Sequence, residues 1–156
     1  DQPNVEKLNQ LVNEVGSSSI DYVKLQRGVD MPVFPLWVEG LYKIPESSPY
    51  LFAYQPSIWK TNRLIEFFDR CKEDCKNNTA HHFEPLAQKS AREMGLFAAF
   101  TYEGEPLRGT HHFDSSVYPA VCTAVSAGKW NTTEYRKELD MMFSEYNIDP
   151  SIRGEV

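Results

Sequence analysis

Five prolines, Pro32, Pro35, Pro45, Pro49 and Pro56, punctuate one stretch of this chain, residues 17–56. Each ring fixes φ and removes a backbone N–H, so prolines at this density deny the stretch to a helix or a central strand. The same stretch carries Phe34, Leu36, Trp37, Leu41, Tyr42, Tyr50, Leu51, Phe52 and Tyr54. That is too much apolar area for a solvated linker. The sequence therefore predicts an extended strap over residues 17–56, with at most a short helix or strand in it, packed over a helical body. Aromatic rings on a fixed extended backbone make good anchors for a partner. Phe34, Trp37, Tyr42, Tyr50, Tyr54 and Trp59 are the candidate binding residues.

Around the strap the periodicity is helical. Val5, Leu8, Val12 and Val15 make a short amphipathic helix within residues 1–16, stopped by Gly16. From Ser57 a second helix places Leu64, Phe68, Cys71 and Cys75 on one stripe, ending near Lys76, Asn77 and Asn78. A third is expected to start near Pro85, a residue tolerated in a first turn, and to run through Ala87, Ala91, Met94 and Ala98 before Gly104. Asp114, Ser115 or Ser116 can cap a fourth, with Val117, Tyr118, Val121, Cys122 and Val125 inside and Gly128 at its end. Asn131 and Glu134 form a capping box for the fifth, whose stripe is Tyr135, Leu139, Met142, Phe143 and Tyr146. The expectation is a mainly α single domain over residues 1–156. About five amphipathic helices form a compact bundle at residues 57–148 and the N-terminus, with residues 149–156 as a tail.

Composition narrows the partners. The chain has 156 residues and a formal net charge of -6, and phosphate contact needs concentrated positive surface, so nucleic-acid binding is not expected. No apolar run approaches the ~20 residues that cross a bilayer. The chain begins Asp1-Gln2-Pro3 and holds the sequons Asn77-Asn78-Thr79 and Asn131-Thr132-Thr133. These features suit a mature chain that has lost a targeting segment and works outside the cell or in an organelle or periplasmic lumen. Of Cys71, Cys75 and Cys122, the first two are a helical turn apart, which leaves two arrangements open: a disulfide from either of them to Cys122 with one free thiol, or a fully reduced core.

Chemistry-bearing groups are few. All four histidines fall in two doublets, His81-His82 and His111-His112, each placed before a predicted helix. Cys71 and Cys75 with the first doublet have a spacing that zinc could use. The two cysteines continue an apolar stripe, however, so no metal is expected, and no cofactor motif is present. Asp30, Glu39, Glu103, Glu105 and Asp114 are loop carboxylates, and paired carboxylates can hydrolyse glycosidic bonds.

Asp30 followed by Pro35-Leu36-Trp37, then Leu96-Phe97-Ala98-Ala99, then Tyr118-Pro119-Ala120 resembles short pieces of the C-terminal half of the helical-toroid glycosidases of family eight. Val33 stands where that family places an arginine, and the fragments cover none of the half that carries the acid, so no catalytic role is carried over. The functional expectation is a processed, soluble binding or assembly subunit that docks a protein partner or a larger complex through the strap. The alternative is a small hydrolase, with glycans as candidate substrates and two of Asp30, Glu39, Glu103 and Asp114 in one concave pocket.

Overall fold

The strap does not lie over a helical body; it supplies strands. A computed structural model describes residues 2–75, 80–121 and 123–156, apart from the side chains of residues 73–75 and 80–82. Its main sheet has four strands, β1 (Tyr22–Lys24), β2 (Leu41–Lys43), β3 (Ser57–Trp59) and β4 (Ala98–Thr101), in the order β2-β4-β1-β3. The central pair β1 and β4 is parallel, with Tyr22 opposite Ala98 and Lys24 opposite Phe100. The two flanking strands are antiparallel to their neighbours. The prolines keep to the margins: Pro56 precedes edge strand β3, and Pro35 bridges Tyr42 in a segment alongside edge strand β2.

Four helices are described: α1 (Val5–Ser17), α2 (Thr61–Cys75), α3 (Ala80–Glu93) and α4 (Thr132–Tyr146). The fold is thus mixed α/β, which corrects the expectation of a mainly α bundle of about five helices. Alternation along the central strands explains the layering. Tyr22, Ala98 and Phe100 face one core with Phe67 of α2 and Ala87 and Ala91 of α3. Val23 and Ala99 face the other with Leu11 and Val15 of α1. Asp21 stitches the layers together, since its carboxylate accepts the Phe97 N–H at 3.1 Å and pairs with Arg63 of α2 at 3.3 Å.

Two expected helices fail for identifiable reasons. The third was to run from Pro85 past Ala98. Instead Pro85 sits inside α3, and the helix stops at a Schellman cap. There Gly95 takes φ +59°, its N–H bonds Arg92, and the Leu96 N–H bonds Ala91. Residues 98–101 then form β4. A strand buried on both faces is apolar at every position, which mimics a helical stripe over so short a run.

The fourth expected helix is absent among the described residues, 114–121 and 123–128. The Ser115 hydroxyl accepts the N–H groups of Val117 and Tyr118 in a local turn. The chain goes on to a hairpin of β7 (Val125–Ser126) and β8 (Lys129–Trp130), which follows the earlier hairpin of β5 (Leu107–Arg108) and β6 (His112–Phe113). Ala127 and Gly128, at φ 48° and 83°, form the two-residue turn between β7 and β8, so Gly128 closes a hairpin and not a helix.

Helix α4 forms as expected, with the Asn131 side chain accepting the Glu134 N–H at 3.3 Å. Its Tyr135, Leu139 and Phe143 make a third core with Trp130 and Ile148. Residues 149–156, expected as a tail, carry a 3-10 turn at Pro150–Ile152, and Glu155 bridges Trp130. The fragments that resemble the helical-toroid glycosidases lie in a turn, a β2-side segment, strand β4 and a loop, so the resemblance does not extend to the fold.

Candidate functional site

In parallel sheets, ligands collect outside the carboxyl ends of the strands. Strand β1 ends at Lys24, and the chain beyond it is pinned in place. The Phe113 N–H bonds the Arg27 carbonyl, the Val29 N–H bonds the His111 carbonyl, and Met31 closes a turn onto Gly28, all within 3.2 Å. His112 of β6 bridges Gly28, which brings the second histidine doublet against the end of β1. Across from it, residues 50–55 are held by α3. The Gln88 amide accepts from the Phe52 N–H at 3.0 Å and donates to the Phe52 carbonyl at 2.7 Å, while Glu84 accepts the Tyr54 N–H at 2.5 Å. Between the two walls opens a cleft of about 620 Å³.

Lys24, Asp30, Glu84, His111 and His112 converge on this cleft, with Gln55, Tyr50 and Tyr54 among its walls. Lys24 is only 1 % exposed, and its ammonium lies 3.7 Å from the Met31 sulfur. Asp30 is exposed at the tip of the turn, and a Cβ on Gly28 would come within 3.2 Å of its carboxylate. Glycine at 28 thus leaves that carboxylate its position.

The His112 ring bonds the Gln55 side chain through Nε2. Burial, then the charges of Lys24 and His111, bring its pKa down from 6.5 to about 4, against the opposing pull of Asp30 and Glu134. At neutral pH the ring is uncharged. Its Nδ1 and the Gln55 Oε1 are buried without a hydrogen-bond partner. Such atoms are found where a structure has a water or ligand to receive. Behind the wall, burial pushes the Tyr22 hydroxyl far up, so it stays protonated as it donates to the Ala53 carbonyl.

The six aromatic candidates do not form one surface. Tyr50 and Tyr54, 46 % and 53 % exposed, wall the cleft. Trp37 is exposed on the α1 side, where its indole donates to Glu14 at 2.8 Å and meets Phe97 edge-on, and Phe34 is exposed beside β2, its carbonyl accepting the Lys43 N–H. Tyr42 stacks on Phe100 and Trp59 tilts over Tyr22, both packed against the core.

The expected carboxylates scatter as well. Asp30 alone of the five lines the cleft. Glu39 and Glu103 face a notch of about 20 Å³, room for one water. Asp114 pairs with Arg108 at 3.3 Å. Glu105, although half-covered, is held below the usual carboxylate range by the Glu103 N–H and by Ser116. Nothing in the sequence marks Glu84, Lys24 or Gln55, and the helix entry expected at His112 is a β6 position instead. The sequence signals that do fall in the cleft are the second histidine doublet, Asp30, Tyr50 and Tyr54.

Among the described residues no group of three His, Cys, Asp or Glu side chains is placed to hold a metal. Cys122 and the side chains of Cys75, His81 and His82 lie outside the description, and with them the zinc spacing and both disulfide pairings. No helix among the described residues is long and apolar enough to cross a membrane. Comparison with known protein families, curated proteins and solved structures finds no match. The site is therefore read from its geometry.

Proposed function

We propose that this chain is a ligand-binding domain whose working surface is the cleft at the carboxyl end of β1, equipped for acid–base chemistry on a small polar ligand. The observation that carries the reading is the convergence of Asp30, Glu84 and an uncharged His112 on one concavity of about 620 Å³, a size suited to small-molecule ligands. An uncharged imidazole offers a lone pair, and a carboxylate can take or hold a proton, which are the groups a hydrolase needs. Hydrolysis, of glycans among other substrates, is the reaction class these groups serve. An NMR titration of the labelled chain with a panel of small polar compounds tests it. Shifts confined to residues 28–31, 53–55 and 111–112 are expected. A panel that perturbs only other surfaces, or none, overturns it.

A second reading is favoured by Phe34 and Trp37, which are 53 % and 59 % exposed although large and apolar. We propose that they dock a protein partner, as in an assembly subunit. Trp37→Ala is expected to weaken association in co-purification while leaving cleft titrations unchanged; retained association removes this reading.

A further inference from the structure

We infer that the cleft takes an organic cation, a ligand bearing ammonium groups on an apolar frame. This rests on the proposal that the cleft is the ligand site, and adds the chemical class. The charged side chains of the lining are two carboxylates, Asp30 and Glu84, against one ammonium, Lys24. Asp30 presents an exposed carboxylate, and the Glu84 carboxylate accepts the Tyr54 N–H through one of its oxygens. Lys24, the cation in the lining, is buried beneath the surface against Met31. The neighbouring Arg27 does not enter the cleft. Its guanidinium donates to the Met31 carbonyl at 3.1 and 3.2 Å and lies over the Tyr102 and Phe113 rings. No arginine fork is left for phosphate or carboxylate, among the described lining residues.

Tyr50 and Tyr54 add the second requirement. The Tyr54 ring is supported from within by Phe52 and Phe83, each with centroids 5.3 Å away, yet remains 53 % exposed. A supported aromatic face beside carboxylates attracts an ammonium through its quadrupole and its charge neighbours together. The whole chain, at -6, raises the local concentration of cations at its surface.

Calorimetric titrations of the full chain with spermidine, maltotriose and inorganic phosphate, at low and moderate salt, decide the matter. Spermidine is expected to bind at one site, to weaken as salt rises, and to lose tenfold or more affinity in Asp30→Asn and in Glu84→Gln. Tyr54→Phe keeps the ring and is expected to bind like the parent, whereas Tyr54→Ala is not; melting curves confirm that each variant folds. Spermidine binding that both carboxylate variants leave unchanged is surface counterion binding and overturns the inference. Binding of maltotriose or phosphate without spermidine, lost in the same variants, overturns the cation but leaves the cleft as the ligand site. No binding of any of the three overturns both.

Discussion

His112→Gln should flatten the acid side of the stability profile. In the native chain the ring titrates near pH 4, whereas in the unfolded chain it titrates near 6.5. A depressed folded pKa means that the unfolded state binds the proton first. The associated stability is complete above pH 6.5 and is lost as pH falls from there toward 4. At 1.36 kcal/mol per unit the full displacement corresponds to about 3 kcal/mol. Because the ring is only half-buried, solvent screening reduces this to roughly 1–2 kcal/mol. The groups facing it are Lys24 from β1, Asp30 from the turn, His111 beside it and Glu134 from α4. Glutamine preserves an acceptor for Gln55 and cannot titrate. Urea unfolding of both proteins at steps from pH 7.5 to 4.5 measures the difference, which should shrink by about 1–2 kcal/mol over that range. The depressed carboxyls of Glu66, Glu105, Glu134 and Asp149 lose their contribution only as pH falls below about 4.5, in both proteins alike. Parallel stability curves would refute the burial argument for His112.

Gly109→Ala should cost roughly 2 kcal/mol or more in chemical denaturation. The residue sits at φ +64°, and a Cβ there would overlap the Tyr135 hydroxyl and the Glu134 carboxylate. Phe67→Ala, at the centre of the larger core against Phe52, Trp59 and Phe83, should lower stability by about 3–5 kcal/mol in the same assay. Asn131→Ala should cost about 1 kcal/mol by loss of the α4 cap. Because the Asn131 amide donates to Glu134 at 3.2 Å and is buried, mass spectrometry of chain expressed through a secretory pathway should find this sequon without glycan on the folded protein.

A helix whose cap and period are both local is legible in this chain, as α4 shows; α1 is legible as a helix, but Gly16, expected to stop it, lies inside it, and Val5 and Val12 of its expected stripe are exposed. What was not legible is the sheet. Its central strands are short runs, Tyr22–Lys24 and Ala98–Thr101, buried on both faces, so they carry no alternation of buried with exposed residues, and their partners are 76 positions apart in the chain. The prolines do keep residues 18–56 from forming a helix, but not from the centre of the sheet: central strand β1 forms ahead of Pro32, and edge strand β2 forms between Pro35 and Pro45. The same non-local pairing hides the site. Lys24 looks like a solvated surface charge until β4 and β3 flank it, and Glu84 looks like one more acidic residue until Gln88 draws the 50–55 loop onto α3 beside it.

The position of the second histidine doublet follows from this pairing and bears on how the cleft is held. His111 and His112 belong to a hairpin of two-residue strands, too short to be stable alone. One side of it bonds residues 26–29 beyond β1, where the Gln26 amide meets the Phe113 carbonyl at 2.9 Å. The other side is tied to α4, by Arg108 with Glu138 and by Thr110 with Glu134. Helix α4 packs in its own core with Trp130 and Ile148, away from the main sheet. Besides the charge that Glu134 sets near His112, the contribution of α4 to the cleft is to hold, through Glu134 and Glu138, the hairpin that presents His112. A loosened α4 would be felt first as misplacement of His112 and only afterwards as loss of the sheet, since the two main cores draw nothing from Tyr135, Leu139 or Phe143.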